Sequence, residues 1–260
     1  MQSSKLNRRL KLFSLFFLAQ CSFLVFFTKL VTAKPVVLEE IAQQSSVTQD
    51  ATRAEAEKLT KEGFELFQQG TAESLVAARK KSEAALVLWR KLDDKQSQAL
   101  TLVVIGRVYS DLGEKQKALE FYNQAKPLFG EVGDRRGEVT TLNNIGQVYS
   151  DLGEKQKALE FYNQAKPLYR AVGDRGGEAT TLNNIGQVYD DLGEKQKALE
   201  FYNQALPLRR AAGDRSGEAM TLNRIGQVYD SLGEKQKALE FYNQALPLVR
   251  AVGDRRGEAA

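Results

Sequence analysis

Chemistry needs side chains that titrate near neutrality, attack or ligate, and this sequence is short of all three. It has no histidine, and its one cysteine is Cys21, inside an apolar N-terminal run. That removes the Ser-His and Cys-His catalytic pairs, most metal sites and any intrachain disulfide. Carboxylates are plentiful, but none stands alone on an apolar stripe where desolvation would raise its pKa for acid catalysis. Glu154, Lys155, Lys157 and Glu160 sit at helical spacing and read as a solvated mixed-charge face. Gly113-Glu114-Lys115 and its copies suggest a phosphate loop, yet no Ser or Thr follows the lysine and no strand precedes the glycine. Gly173-Asp174-Arg175-Gly176-Gly177 likewise lacks the spacing and the strand of a dinucleotide-binding turn. Trp89 lies between Leu86 and Leu92 at core spacing and is expected to pack rather than stack on a ligand. The chain is expected to be no enzyme, with no catalytic residue, cofactor or metal.

What remains is a set of amides. Thr140, Asn143, Gln147 and Ser150 are spaced three, four and three, so they share one face of a helix. The stripe recurs as Thr180, Asn183, Gln187, Asp190 and again as Met220, Asn223, Gln227, Asp230. The candidate partner-binding groove is Asn143, Asn183, Asn223, Gln147, Gln187 and Gln227, with Asn144, Asn184, Arg224 and Arg107 beside them. An amide offers both a donor and an acceptor to the backbone of an extended peptide. The competing expectation is that these asparagines are solvated or bond neighbouring turns as a structural ladder. Upstream the stripe breaks into Leu100, Val103, Arg107 and Ser110, which would give one end an apolar floor with a positive charge.

The elements that must position these groups come from a repeat. LGEKQKALEFYNQA occurs unchanged from Leu112, Leu152, Leu192 and Leu232, a period of 40 residues, and 51–99 reads as a degenerate copy in register. Within a unit, Leu142, Ile145, Val148, Tyr149 and Leu152 form one helical stripe and Ala158, Leu159, Tyr162, Ala165 and Leu168 a second. Gly153 should stop the first helix in the left-handed conformation, and Asp174 should cap the next unit. Gly146 is expected to admit a close helix approach. Pro127, Pro167, Pro207 and Pro247, at one phase of the second helices, should bend them. No strand-like alternation appears in the units. The expected fold is all-α, a solenoid of stacked antiparallel helix pairs, because one pair cannot cover its own apolar face.

Leu182, Ile185-Gly186, Tyr189, Gly193, Ala198, Tyr202 and Ala205 carry a resemblance to the tetratricopeptide-repeat (TPR) family, with the usual tryptophan replaced by leucine and the terminal proline displaced. The 40-residue length and the TLNNIGQVY phrase resemble the longer variant of kinesin light chains, and the arrays of bacterial secreted proteins that carry a caspase-like CHAT domain. The resemblance covers about 51–260 and implies a right-handed superhelix that binds a peptide or protein in its concave groove. The CHAT protease needs a His-Cys pair, which is absent here.

Composition agrees with binding rather than chemistry. The 260 residues are 42% hydrophobic and 27% charged, as expected of a folded chain. The net charge of +4 lies in the N-terminal segment: residues 1–33 hold five positive charges, and the remainder sums to −1. No global field favours nucleic acid. Residues 1–33 read as a signal peptide cleaved after Ala33, or as a membrane anchor, with 34–50 a flexible spacer. The array is then expected outside the cytoplasm, touching a membrane only through that segment if uncleaved. Asp254 to Ala260 reads as the start of a further helix, leaving a C-terminal face open to self-association. A purely structural array, or the targeting part of a larger protein, are the other functions compatible with the sequence.

Overall fold

The computed structural model describes residues 43, 44 and 46–257, and the segment expected to direct export lies outside them. The chain divides into two compact units, residues 1–54 and 55–260. In the first, residues 43, 44 and 46–54 are helical, so the expected spacer is helix wherever it is described. The reason is local: no Gly or Pro occurs between Pro35 and Gly63, and Thr48 and Thr52 return their hydroxyls to the carbonyls of Gln44 and Thr48 at 2.8 Å.

The second unit is all-α among its described residues. It comprises α1 (55–69), α2 (Ala72–Lys91), α3 (Lys95–Asp111), α4 (Lys115–Val132), α5 (Arg135–Asp151), α6 (Lys155–Ala171), α7 (Arg175–Asp191), α8 (Lys195–Ala211), α9 (Arg215–Ser231) and α10 (Lys235–Gly257). Each helix packs on the next, and the first helices of neighbouring units also touch, α3 on α5 and α5 on α7. The arrangement is a solenoid of helix pairs.

The turns explain the period. Gly153 adopts φ 77°, where a Cβ would be strained, and the Glu154 N–H then reaches back to the Tyr149 carbonyl at 2.9 Å. In the degenerate unit Asp93 takes the left-handed place with φ 51°, which aspartate tolerates better than most residues. First helices start on an aspartate: the carboxylates of Asp134, Asp174 and Asp214 accept from the N–H groups of Gly137, Gly177 and Gly217 at 2.8–2.9 Å. Second helices start on Glu114, Glu154 and Glu194 with no side-chain cap.

Packing within a pair depends on a missing side chain. Tyr162 lies so close over Gly146 that an added Cβ would fall 2.7 Å from its ring, and Tyr122, Tyr202 and Tyr242 repeat this over Gly106, Gly186 and Gly226. Between units, Tyr149 touches the apolar clusters on either side of it, which joins them into one core. Trp89 is buried against Ala56 and Ala85, as expected. Tyr149 also stacks on Phe161 at 5.4 Å with the Lys157 ammonium above its ring, an arrangement repeated around Tyr109, Tyr189 and Tyr229.

Two features of the second helices stand out. α4, α6 and α8 run four or five residues past Pro127, Pro167 and Pro207, so each proline removes one donor without ending its helix. α10 continues through Gly253 to Gly257, where its counterparts turn. A helix that runs on pairs more backbone groups than one that turns. The further helix expected from Asp254 is therefore not separate from α10 through Gly257.

Candidate partner-binding site

The first helices bring the predicted residues to one side of the array. Arg107 on α3, Asn143, Asn144 and Gln147 on α5, and Thr180 and Asn184 on α7 line a single cavity of about 380 Å³. Three successive units contribute, because Leu102, Ile105, Leu142, Ile145, Leu182 and Ile185 hold the opposite faces of the same helices in the core. Asn223, Arg224 and Gln227 line a second cavity of about 440 Å³ on α9, with Met220 and Val249. Gln187 is partly exposed between the two sets and lines neither cavity.

The amides divide into committed and uncommitted ones. Asn183 is only 5% exposed; its amide donates to the Thr221 hydroxyl of the next unit at 2.8 Å. One unit earlier the Thr181 hydroxyl lies 3.1 Å from the Asn143 carbonyl oxygen and donates to it or to the Gly177 carbonyl. These two asparagines form the inter-unit ladder weighed above, and Asn143 also borders the cavity. Gln147 is engaged too, accepting from the Tyr162 hydroxyl at 3.3 Å and donating to Asp151 at 2.8 Å. Asn144, Asn184 and Asn223 are partly exposed and make no side-chain hydrogen bond among the described residues.

Charge on this side is largely matched. Lys115 pairs with Asp151 and Lys155 with Asp191, each at 2.5 Å, tying one unit to the next. Lys195 and Lys235 pair with Asp190 and Asp230 at 2.5 and 2.7 Å. Ser110 lines the first cavity too, as do Asp111, Lys115, Asp151 and Tyr122, and the amide stripe alone did not identify these last four. The lysine and its aspartate are 36 residues apart, so only the period of 40 less one helical turn could have signalled them.

The buried tyrosines stay neutral. Burial pushes the Tyr202 hydroxyl up to about 12, against the lowering effect of Arg224 beside it, and lifts Tyr122 and Tyr162 well above their ordinary value. None of them is an acid at neutral pH; the Tyr162 hydroxyl donates to Gln147 and the Tyr202 hydroxyl accepts from Arg224. Among the described residues no cluster of His, Cys, Asp and Glu could hold a metal, and no helix is long and apolar enough to cross a membrane. The arrangement offers hydrogen bonds and shape.

Comparison with known proteins agrees with this geometry. Family models described as tetratricopeptide repeat match residues 137–211, 99–126 and 221–248, together half of the chain, and no catalytic family is indicated. No curated protein matches. Among solved structures, the chain is similar to BtubC (BKLC) from P. vanneervenii, at 19% identity and TM-score 0.57, over 78% of this chain and 92% of that one. It is similar to the nearly identical TPR-like repeats of a putative kinesin light chain from Podosopora anserina, at 15% identity and TM-score 0.59, over 76% and 97%. A third likeness is to the Rap conjugation gene regulator of plasmid pLS20 in complex with the Phr* peptide, at 16% identity and TM-score 0.64, over 75% of this chain. The likeness spans 53% of that regulator's length, and at these identities the three show the fold alone.

Proposed function

The chain belongs to the tetratricopeptide-repeat family, and from that premise we propose that it is a non-enzymatic scaffold holding a peptide or protein segment along the first-helix side of α3 to α9. One observation carries this reading: Asn144 and Asn184, from successive units, line one cavity with their amides uncommitted. An extended backbone presents alternating donors and acceptors that such amides can pair with, whatever its side chains. The Rap regulator bound to its Phr* peptide supports a peptide as the kind of partner. We further propose that residues 1–33 export the array; protein from the non-cytoplasmic fraction should then begin at Lys34, and a cytoplasmic protein beginning at Met1 would contradict export.

The groove is tested with a phage-displayed library of random peptides panned on the full chain. Synthetic copies of the selected peptides should bind, and should weaken by at least about tenfold against the Asn144→Ala/Asn184→Ala double variant, with its circular dichroism unchanged. Failure to select any peptide, or equal binding to the variant, would refute groove binding.

A further inference from the structure

The second helices present one apolar face that α10 leaves in water. Leu199, Tyr202 and Leu206 of α8 pack on Leu222, Ile225 and Val228 of α9, so that Leu199 and Leu206 are only 5% and 8% exposed. The same positions on α10 are Leu239, Tyr242 and Leu246. Here Leu239 is 54% exposed and Leu246 46%, and Val249, one turn on, is 49% exposed. Spacings of three, four and three put these four residues on one stripe of the helix. Beside the stripe, Met220 of α9 is also half exposed and shares a cavity with Val249. An apolar surface of this kind is stabilised by whatever removes it from water.

The first helix of the degenerate unit is no match for that face. Gly63 lies close to Ser82 as Gly106 lies close to Tyr122, which sets the register of α1 against the regular first helices. Glu62 then holds the place of Ile105, Ile145, Ile185 and Ile225, and Glu65 the place of Val108, Val148, Val188 and Val228. In α5 the residues at these places, Ile145 and Val148, pack on Leu119 and Tyr122 of the preceding second helix. In α1 the carboxylates pair instead with Lys81 at 2.6 Å and Lys61 at 3.8 Å. Stacking α1 of one copy on α10 of another would take both ion pairs out of water against Leu239 and Leu246. Head-to-tail assembly is therefore disfavoured.

We propose that the α10 stripe is an interface between two copies of the chain, related by a two-fold axis. The two α10 helices lie antiparallel with the axis at the level of Gln244, so that Leu239 of each copy meets Val249 of the other and both Leu246 side chains flank the axis. A stripe matched by itself gives an isologous pair that stops at two copies, whereas a head-to-tail contact runs on into a filament. Charge agrees with the antiparallel sense. Arg250 has no ion pair among the described residues, and near the other end of the stripe Asp230 is held by Lys235 at 2.7 Å with both side chains largely in water. Antiparallel packing brings each Arg250 towards Asp230 of the other copy, and parallel packing would set the two Arg250 side chains together. The interface is independent of groove binding.

Cross-linking of the 260-residue chain in a Cys21→Ser background reads this geometry. A mixture of Leu239→Cys and Val249→Cys should be joined by a short bismaleimide, and either variant alone far less. A mixture of Glu62→Cys and Leu239→Cys should not be joined. Sedimentation equilibrium should level off at the mass of two copies, and Leu246→Asp should return it to one. Arg250→Glu should weaken the pair about threefold or more, and adding Asp230→Lys to it should restore association. Leu239, Leu246, Val249, Asp230 and Arg250 are exposed, so circular dichroism should not change. A chain that stays monomeric, or association that survives Leu246→Asp, would overturn the proposal. So would dimers without the Leu239–Val249 link, or a mass that climbs past two copies with the Glu62–Leu239 link formed.

Discussion

Asn183 and Asn184 are chemically identical neighbours in different situations. A helix turns about 100° per residue, so one amide is buried against the next unit and the other borders the cavity. Asn183→Ala would strip the buried Thr221 hydroxyl of its donor and should lower unfolding stability by about 1–3 kcal/mol in a urea titration. Asn184→Ala should stay within about 0.5 kcal/mol while weakening peptide binding. If both substitutions prove equally mild, the ladder contributes nothing and Asn183 is no more structural than its neighbour. The stripe of threes and fours was legible in the sequence, and it placed Asn143, Asn183 and Asn223 on one face. Whether an amide is closed was not legible, because Thr221 lies 38 residues from Asn183 and the pairing exists only once units stack.

At the scale of elements, the sequence showed where helices begin and end because the signals are local. Asp134 illustrates this: its carboxyl is held below the ordinary aspartate value, first by the N–H of Gly137 and then, against burial, by Gln96 and Arg136. A depressed folded pKa means that the native state binds fewer protons than the unfolded chain. The cap's contribution is then complete above the unfolded value of about 4 and fades as pH falls through the folded one. Asp134→Ala should cost about 1 kcal/mol at pH 7, and its deficit against the parent should shrink towards zero near pH 2. A deficit independent of pH would mean that the substitution acts through helix propensity and not through the carboxylate. The signals fail where an end depends on a neighbour: Gly253-Asp254 has the same letters as Gly213-Asp214, yet α10 runs through it, since a turn is held by the helix that packs after it.

For the molecule as a whole, solenoid stability is a sum over neighbours, so units differ by what lies on either side. Leu199 and Leu206 are buried in the cluster that includes Leu222 and Ile225 of the following helix. Their counterparts Leu239 and Leu246, with Val249, are about half exposed on α10. Each forgoes about 1 kcal/mol of burial, so α10 should open more readily than α6 or α8 and should seek cover from a second chain. In amide exchange the 260-residue chain should lose protection in α10 first, and sedimentation velocity should show mass rising with concentration. Leu239→Gln/Leu246→Gln/Val249→Gln should abolish the mass increase, because it removes the apolar face, without restoring protection. Appending a copy of residues 213–231 after Val252 should do both, because a first helix then occupies the place that α9 occupies on α8. If the unaltered chain stays monomeric at all concentrations and α10 exchanges as slowly as α8, the exposed leucines carry no cost and nearest-neighbour stacking does not set the stability of this array.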